Sequence, residues 1–166
     1  MRSCAVLALL ALSLTTASAT SAQDARIDRL DVIESGFYTA KKTGEHPAAG
    51  APLGYSKEVV NVEFLKQLPA AVAVGSAFGV RLKVYGAPSD WTEHLRLVWL
   101  IPEPGIHNPN NGKIFHRSES DLVVRVGETT MAGYSFDAPW EVVKGTWTLQ
   151  LWQGNRMLLE KSFVIE

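Results

Sequence analysis

The stretch GTWTLQLWQGNRMLLEKSF, Gly145 to Phe163, decides the fold, because apolar residues alternate with polar ones on both sides of Gly154-Asn155. Successive side chains of a β-strand point to opposite faces, so a period of two indicates strands. Gly and Asn both tolerate the backbone conformations of tight turns. The stretch therefore predicts an antiparallel β-hairpin.

The register of this hairpin determines which of its two tryptophans is buried. A two-residue loop, Gly154-Asn155, would mix polar and apolar side chains on both faces, whereas a three-residue loop beginning at Gln153 separates them. A slip of one residue inverts every side chain, so we predict the three-residue loop, with Trp147 buried and Trp152 exposed. The predicted core side comprises Trp147, Leu149, Leu151, Met157, Leu159 and Phe163, with Lys161 at its rim.

Outside the hairpin, six more segments alternate in the same way between Gly, Pro, Asn or Asp residues, and no long stretch keeps a helical period. In FGVRLKVYG, for example, Phe78 and Val80 share one face while Arg81 and Lys83 share the other. The pattern predicts an all-β fold, an immunoglobulin-like antiparallel β-sandwich of about seven to eight strands, with a small β-barrel as the alternative. The predicted strands are Ile27–Thr39, Val59–Lys66, Phe78–Tyr85, Leu95–Ile101, Asp121–Val126, Thr130–Phe136, Thr146–Trp152 and Arg156–Ile165.

Two segments rich in Gly and Pro interrupt the strand pattern. We expect Lys41–Ser56 to be a long loop within a single domain, residues 27–166, and Pro102–Phe115 to be an ordered surface loop. Long loops in compact domains are uncommon unless they bind a ligand or move. The second loop therefore supplies candidate partner-binding residues: His107, Asn108, Asn110 and Lys113.

The N-terminus has the pattern of a secretory signal peptide, residues 1–22. Arg2 precedes an apolar run from Cys4 to about Leu14, and small residues follow. The run is too short for the roughly 20 residues of a membrane-spanning helix. We expect a periplasmic or secreted protein with no membrane span after cleavage. Cys4, which is the only cysteine, precedes the apolar run, so this is not a lipoprotein signal.

Composition excludes several functional classes. The expected mature chain has no cysteine, so disulfides and thiolate chemistry are excluded. Lys and Arg (16) nearly balance Asp and Glu (17) and are interspersed with them, which argues against a nucleic-acid partner. No serine elbow, phosphate loop, dinucleotide fingerprint or calcium loop is present. We expect a binding module without a cofactor rather than an enzyme, although a hydrolase with a spatially assembled site stays open.

Exposed aromatic residues are the main functional signal. Trp152 lies opposite Arg156 in the predicted register, where a cation–π contact of roughly 0.5–1 kcal/mol can form. Trp152, Trp140 and Arg156 are therefore candidate binding residues for an envelope protein or a glycan. The alternative is a metal-handling protein that uses His107 and His116, with Glu103 or His46 as further ligands, although the spacing fits no compact metal motif.

The run Gly133–Ile165, together with FGVRLKVYG and the loop PGIHNPNNGK, resembles an uncharacterised family of bacterial exported proteins, a domain of unknown function. The resemblance covers the chain from about Val32 onwards, apart from the Lys41–Ser56 segment. Its most specific part is Pro139-Trp140-Glu141 followed by Gly145-Thr146-Trp147. It implies a single immunoglobulin-type β-sandwich that follows a signal peptide, and it implies no activity.

The signal peptide generates a direct prediction. Cleavage after Ala22, or alternatively after Ala19, satisfies the preference for small residues before the cleaved bond. When the full chain is produced in a Gram-negative host, we expect intact-mass measurement of the periplasmic protein to give Gln23 as the first residue, with Thr20 as the alternative start. Recovery of the uncleaved chain in the membrane fraction would contradict the prediction.

Overall fold

The computed structural model describes residues 25–67 and 71–166, which form an antiparallel β-sandwich. One sheet has the strand order β2-β1-β3-β8 and the other has the order β10-β9-β4-β7. Both sheets are open, so the immunoglobulin-like sandwich is confirmed and the closed-barrel alternative is wrong. The predicted signal peptide lies outside the described residues. Within those residues, no helix has the length and apolar composition needed to cross a membrane.

All eight predicted strands are present, and two short strands pair within the Pro102–Phe115 loop. A single 3₁₀ turn, Pro139–Glu141, connects β8 to β9. The strands are β1 (Arg26–Pro47), β2 (Tyr55–Phe64), β3 (Ala77–Ala87), β4 (Thr92–Leu100), β5 (Ile106–His107), β6 (Ile114–Phe115), β7 (Arg117–Arg125), β8 (Thr129–Ser135), β9 (Gly145–Gln153) and β10 (Arg156–Ile165).

The long loop predicted at Lys41–Ser56 is mostly strand, so that prediction is wrong. β1 and β2 pair from Tyr38 with Phe64 to Pro47 with Tyr55, and only residues 48–54 form the turn. Pairing supplies backbone hydrogen bonds to both strands despite their Gly- and Pro-rich composition. Cross-strand contacts outweigh the low intrinsic strand propensity of these residues. We call residues 39–63 the arm, because this part of the hairpin extends beyond the end of β3.

The β9–β10 hairpin has a different register from the predicted one. Its loop has two residues, and Arg156 faces Gln153, but a bulge at Leu158 then shifts the pairing by one residue. After the bulge, apolar side chains lie on one face of the hairpin and polar side chains on the other, as the three-residue loop predicted. Trp147 is fully buried, as predicted, whereas Met157 precedes the bulge and is 45% exposed instead of buried.

Aromatic rings fill the space between the two sheets. The Phe78 ring of β3 lies 5.2 Å from the Trp99 ring and 5.6 Å from the Trp147 ring of the opposite sheet, in both cases edge to face. Such geometry contributes about 0.5–1.5 kcal/mol beyond burial. The other rings that contact Phe78 are those of Phe37, Tyr134, Phe136 and Phe163.

Removal of the Phe78 ring should open a cavity at the centre of this cluster. We expect Phe78→Ala to lower the free energy of unfolding by about 3–5 kcal/mol in urea titration. Phe64→Ala, just after the arm, is the matched control, because the Phe64 ring is only half-buried, and this substitution should cost less. Equal losses in the two variants would contradict the central position of Phe78.

Candidate functional site

Trp152 lies on the outer face of the β10-β9-β4-β7 sheet and is half-buried. Its ring faces the guanidinium of Arg96 on β4, with 5.3 Å between the Arg96 Cζ atom and the ring centroid. Its indole N–H donates to Gln150 Oε1 at 3.2 Å. The polar and cationic contacts of this ring are therefore made within the sheet itself.

The predicted contact between Trp152 and Arg156 is wrong. Arg156 faces Gln153, and its Nη2 atom donates to the backbone carbonyl of Ile27 and to Gln153 Oε1. The two-residue loop places Arg156 one position away from Trp152, which is the physical reason for the difference. Trp140 lies in the 3₁₀ turn, half-buried against the core. A partner-binding role for these three residues stays a prediction.

The β5–β6 loop holds the remaining predicted residues. Asn108 is buried, and its Nδ2 atom donates to the Pro52 carbonyl at the tip of the arm at 2.7 Å, while its Oδ1 atom accepts the Asn110 N–H at 2.8 Å. Asn108 thus joins this loop to the arm rather than facing a partner. His107, Asn110 and Lys113 are exposed, and their binding role stays a prediction.

The histidines do not assemble a metal centre in the described part of the chain. His116 Nδ1 lies 3.5 Å from Glu103 Oε1, and His46 Nε2 lies 2.7 Å from Glu58 Oε1. Across residues 25–67 and 71–166, no three His, Cys, Asp or Glu side chains come together as ligands. The geometry therefore offers no support for the metal alternative.

A cleft of about 550 Å³ lies between the arm and the edges of the two sheets. We call it the arm cleft. The arm supplies Tyr55 and Lys57, β1 supplies Tyr38 just before the arm begins, and β7 supplies the consecutive residues 120–123. The tip of the arm closes one end, because the Glu119 N–H of β7 donates to the Gly50 carbonyl at 3.0 Å.

Glu141 supports one wall of the arm cleft and is only 1% exposed. Its Oε1 atom accepts the Tyr134 hydroxyl at 2.8 Å, and its Oε2 atom accepts the backbone N–H groups of Asp137 at 2.7 Å and Ala138 at 3.0 Å. Burial raises the pKa of Glu141, and these hydrogen bonds oppose that effect. The carboxyl group thus fixes the backbone that leads into the 3₁₀ turn.

Asp137 joins this turn to the arm. It forms an ion pair with Lys57 Nζ, and its Oδ2 atom accepts the Tyr55 hydroxyl at 3.4 Å. Lys57 Nζ also donates to Ser135 Oγ at 3.2 Å. Both members of the ion pair are mostly shielded from solvent, so the pair is screened less than a surface pair. It fixes β2 of the arm to the end of β8.

Two uncharged hydrogen-bond donors belong to buried residues of the arm-cleft wall. The indole N–H of Trp99 is buried and has no hydrogen-bond partner among the described residues, which is a costly state for a donor. Burial, with a smaller effect from the charge of Asp137, raises the pKa of Tyr38 to about 12, so its hydroxyl stays neutral. The wall of the arm cleft therefore contains buried uncharged donors beside paired charges.

Sequence reasoning missed most of this site. The loop predicted at Lys41–Ser56 hides Tyr55, and Lys57 lies outside every predicted strand. The partners of Glu141 are two backbone groups and a hydroxyl seven residues away. One signal was available, because Glu141 follows Pro139-Trp140 and precedes Val142-Val143, and an acidic residue in such an apolar setting needs hydrogen-bond partners.

Comparison with known proteins identifies a family and a structural relative. The family model described as "Domain of unknown function (DUF3859)" matches residues 27–165. The crystal structure of an immunoglobulin-like protein from Pseudomonas aeruginosa is similar, with 28% sequence identity, a TM-score of 0.56, and coverage of 88% of this chain and 99% of that chain. No curated protein matches this sequence. These findings confirm the resemblance to an uncharacterised immunoglobulin-like family.

The raised pKa of Glu141 predicts how the stability of the protein changes with pH. A group whose pKa is higher in the folded state contributes stability below its unfolded pKa and loses that contribution as pH rises through the folded pKa. We expect the free energy of unfolding of the wild type, minus that of Glu141→Gln, to decrease as the pH rises above about 4.3, the ordinary pKa of a glutamate carboxyl. Urea titrations measure it, with the exposed-site variant Glu63→Gln as control. An increasing difference would contradict the assignment.

Proposed function

We propose that this chain, which belongs to the DUF3859 family, is an exported, non-catalytic binding module of the bacterial envelope that takes its partner in the arm cleft. The signal-like N-terminus supports export to the periplasm or beyond. The partner is an envelope protein or a glycan, and binding uses neither a metal nor a cofactor.

The arm cleft is the observation that carries this proposal. Its volume of about 550 Å³ falls within the range of ligand-binding pockets, roughly 300–1,000 Å³. Its walls combine apolar and aromatic side chains with polar and charged ones in comparable numbers, so a ligand can be held by both burial and hydrogen bonds.

The ionisable groups around the arm cleft support binding rather than catalysis. The Glu141 carboxyl is occupied by three hydrogen bonds from the fold, and Asp137 is paired with Lys57. His46, which also lines the cleft, lies beside Glu58. A general acid or base must reach the proton that it transfers. The Asp137–Lys57 pair instead connects the arm to the sandwich, and the other groups are held within the arm or within the sandwich.

Partner capture from a native periplasmic extract tests the proposal. Ser120 lines the arm cleft on β7, so Ser120→Trp should fill part of the cavity. We expect immobilised mature Ser120→Trp to retain at least about tenfold less partner than the wild type, a loss of roughly 1.4 kcal/mol in binding, by quantitative mass spectrometry.

Trp152→Ala is the control, because Trp152 belongs to the outer sheet face and not to the arm cleft. Partner capture should match the wild type in this variant. If Trp152→Ala abolishes capture and Ser120→Trp does not, the aromatic outer face is the binding surface and the cleft proposal is wrong. Thermal denaturation of both variants verifies that they are folded.

A further inference from the structure

We infer that the arm cleft binds an extended peptide, which adds to the edge of β7 as a further antiparallel or parallel strand. This inference rests on the proposed function and names the chemical class of the partner. It depends on the direction of the backbone groups of β7 and on the space beside them.

The backbone groups of β7 alternate in direction. β7 pairs with β4 along one side, and residues of a paired strand point their N–H and C=O groups alternately towards the partner strand and away from it. The Glu119 N–H points away from β4, because it donates to Gly50 of the arm. By the same alternation, the backbone groups of Asp121 and Val123 point away from β4.

These outward groups are available for pairing. Among the described residues, no strand pairs with β7 on this side, and no backbone hydrogen bond from another segment reaches Asp121 or Val123. An exposed row of this kind is a template for an added strand. The arm occupies only the position beside Glu119 and leaves the next two outward positions open.

Space lies beside this open edge. Four consecutive residues of β7, Ser120–Val123, line the arm cleft, and the residues from Tyr55 to Val59 of the arm line its other side. Four strand residues span about 13 Å at roughly 3.3 Å per residue. The cleft therefore follows the strand edge over the length of a short extended peptide.

An extended peptide fits these features better than a glycan does. Strand addition supplies affinity through main-chain hydrogen bonds that repeat every second residue, while side-chain pockets supply specificity. The open groups of Asp121 and Val123 have this two-residue repeat.

The test begins with random peptides of about ten residues, displayed on phage and selected on the mature protein. The selected peptide is synthesised, and its affinity is measured for Asp121→Pro and Asp121→Ala. Both variants lose the exposed carboxylate, but only proline removes the backbone N–H, and proline is tolerated on edge strands. We expect binding to Asp121→Pro to be at least tenfold weaker than to Asp121→Ala.

Peptide variants provide a second measurement on the wild-type protein, which decides the outcome if Asp121→Pro does not fold. Two peptides are compared, one N-methylated at its odd-numbered residues and the other at its even-numbered residues. One of the two should bind at least tenfold more weakly than the unmodified peptide, and the other should lose much less affinity. The inference is overturned if no binder is selected, if the two protein variants bind with equal affinity, or if the two N-methylated peptides lose affinity equally. If Ser120→Trp still abolishes capture of a periplasmic glycan in that case, the proposed function stands and only the peptide assignment fails.

Discussion

The edge-to-face contact between Phe78 and Trp147, with ring centroids 5.6 Å apart, joins the two sheets at the centre of the sandwich. The Trp147 indole N–H donates to the Val143 carbonyl at 2.8 Å, so the same ring also fixes the segment after the 3₁₀ turn. In this way the buried tryptophan packs its apolar ring in the core and also gives its N–H a hydrogen-bond acceptor. The position of that turn thus depends directly on the core.

From this core, a chain of contacts reaches the arm cleft. The Trp147 ring lies 4.8 Å from the ring of Tyr134, whose hydroxyl donates to Glu141. Glu141 holds the backbone N–H of Asp137, and Asp137 pairs with Lys57 of the arm. The cleft is therefore built on rigid elements, and loss of any buried polar member would leave another without a partner.

The strands and the buried side of the hairpin could be predicted from sequence, because alternation of apolar residues reflects local strand geometry. The hairpin register could not be predicted in full. Each loop length was weighed with one register kept along the whole hairpin. In the structure the register changes at the Leu158 bulge, so a two-residue loop is followed by strands whose polar and apolar faces are separate. Met157 and the partner of Trp152 were assigned incorrectly for that one reason.

The sequence by itself determined the β-sandwich and the burial of Trp147, since both follow from side-chain periodicity within single strands. Only the tertiary structure decided the arm, the arm cleft and the partners of Glu141. The composition of the arm indicates a loop. The arm nevertheless forms two strands, because each strand supplies the backbone hydrogen bonds that the other needs. The cleft combines residues as distant along the chain as Lys57 and Asp137, and no local pattern records such a pair.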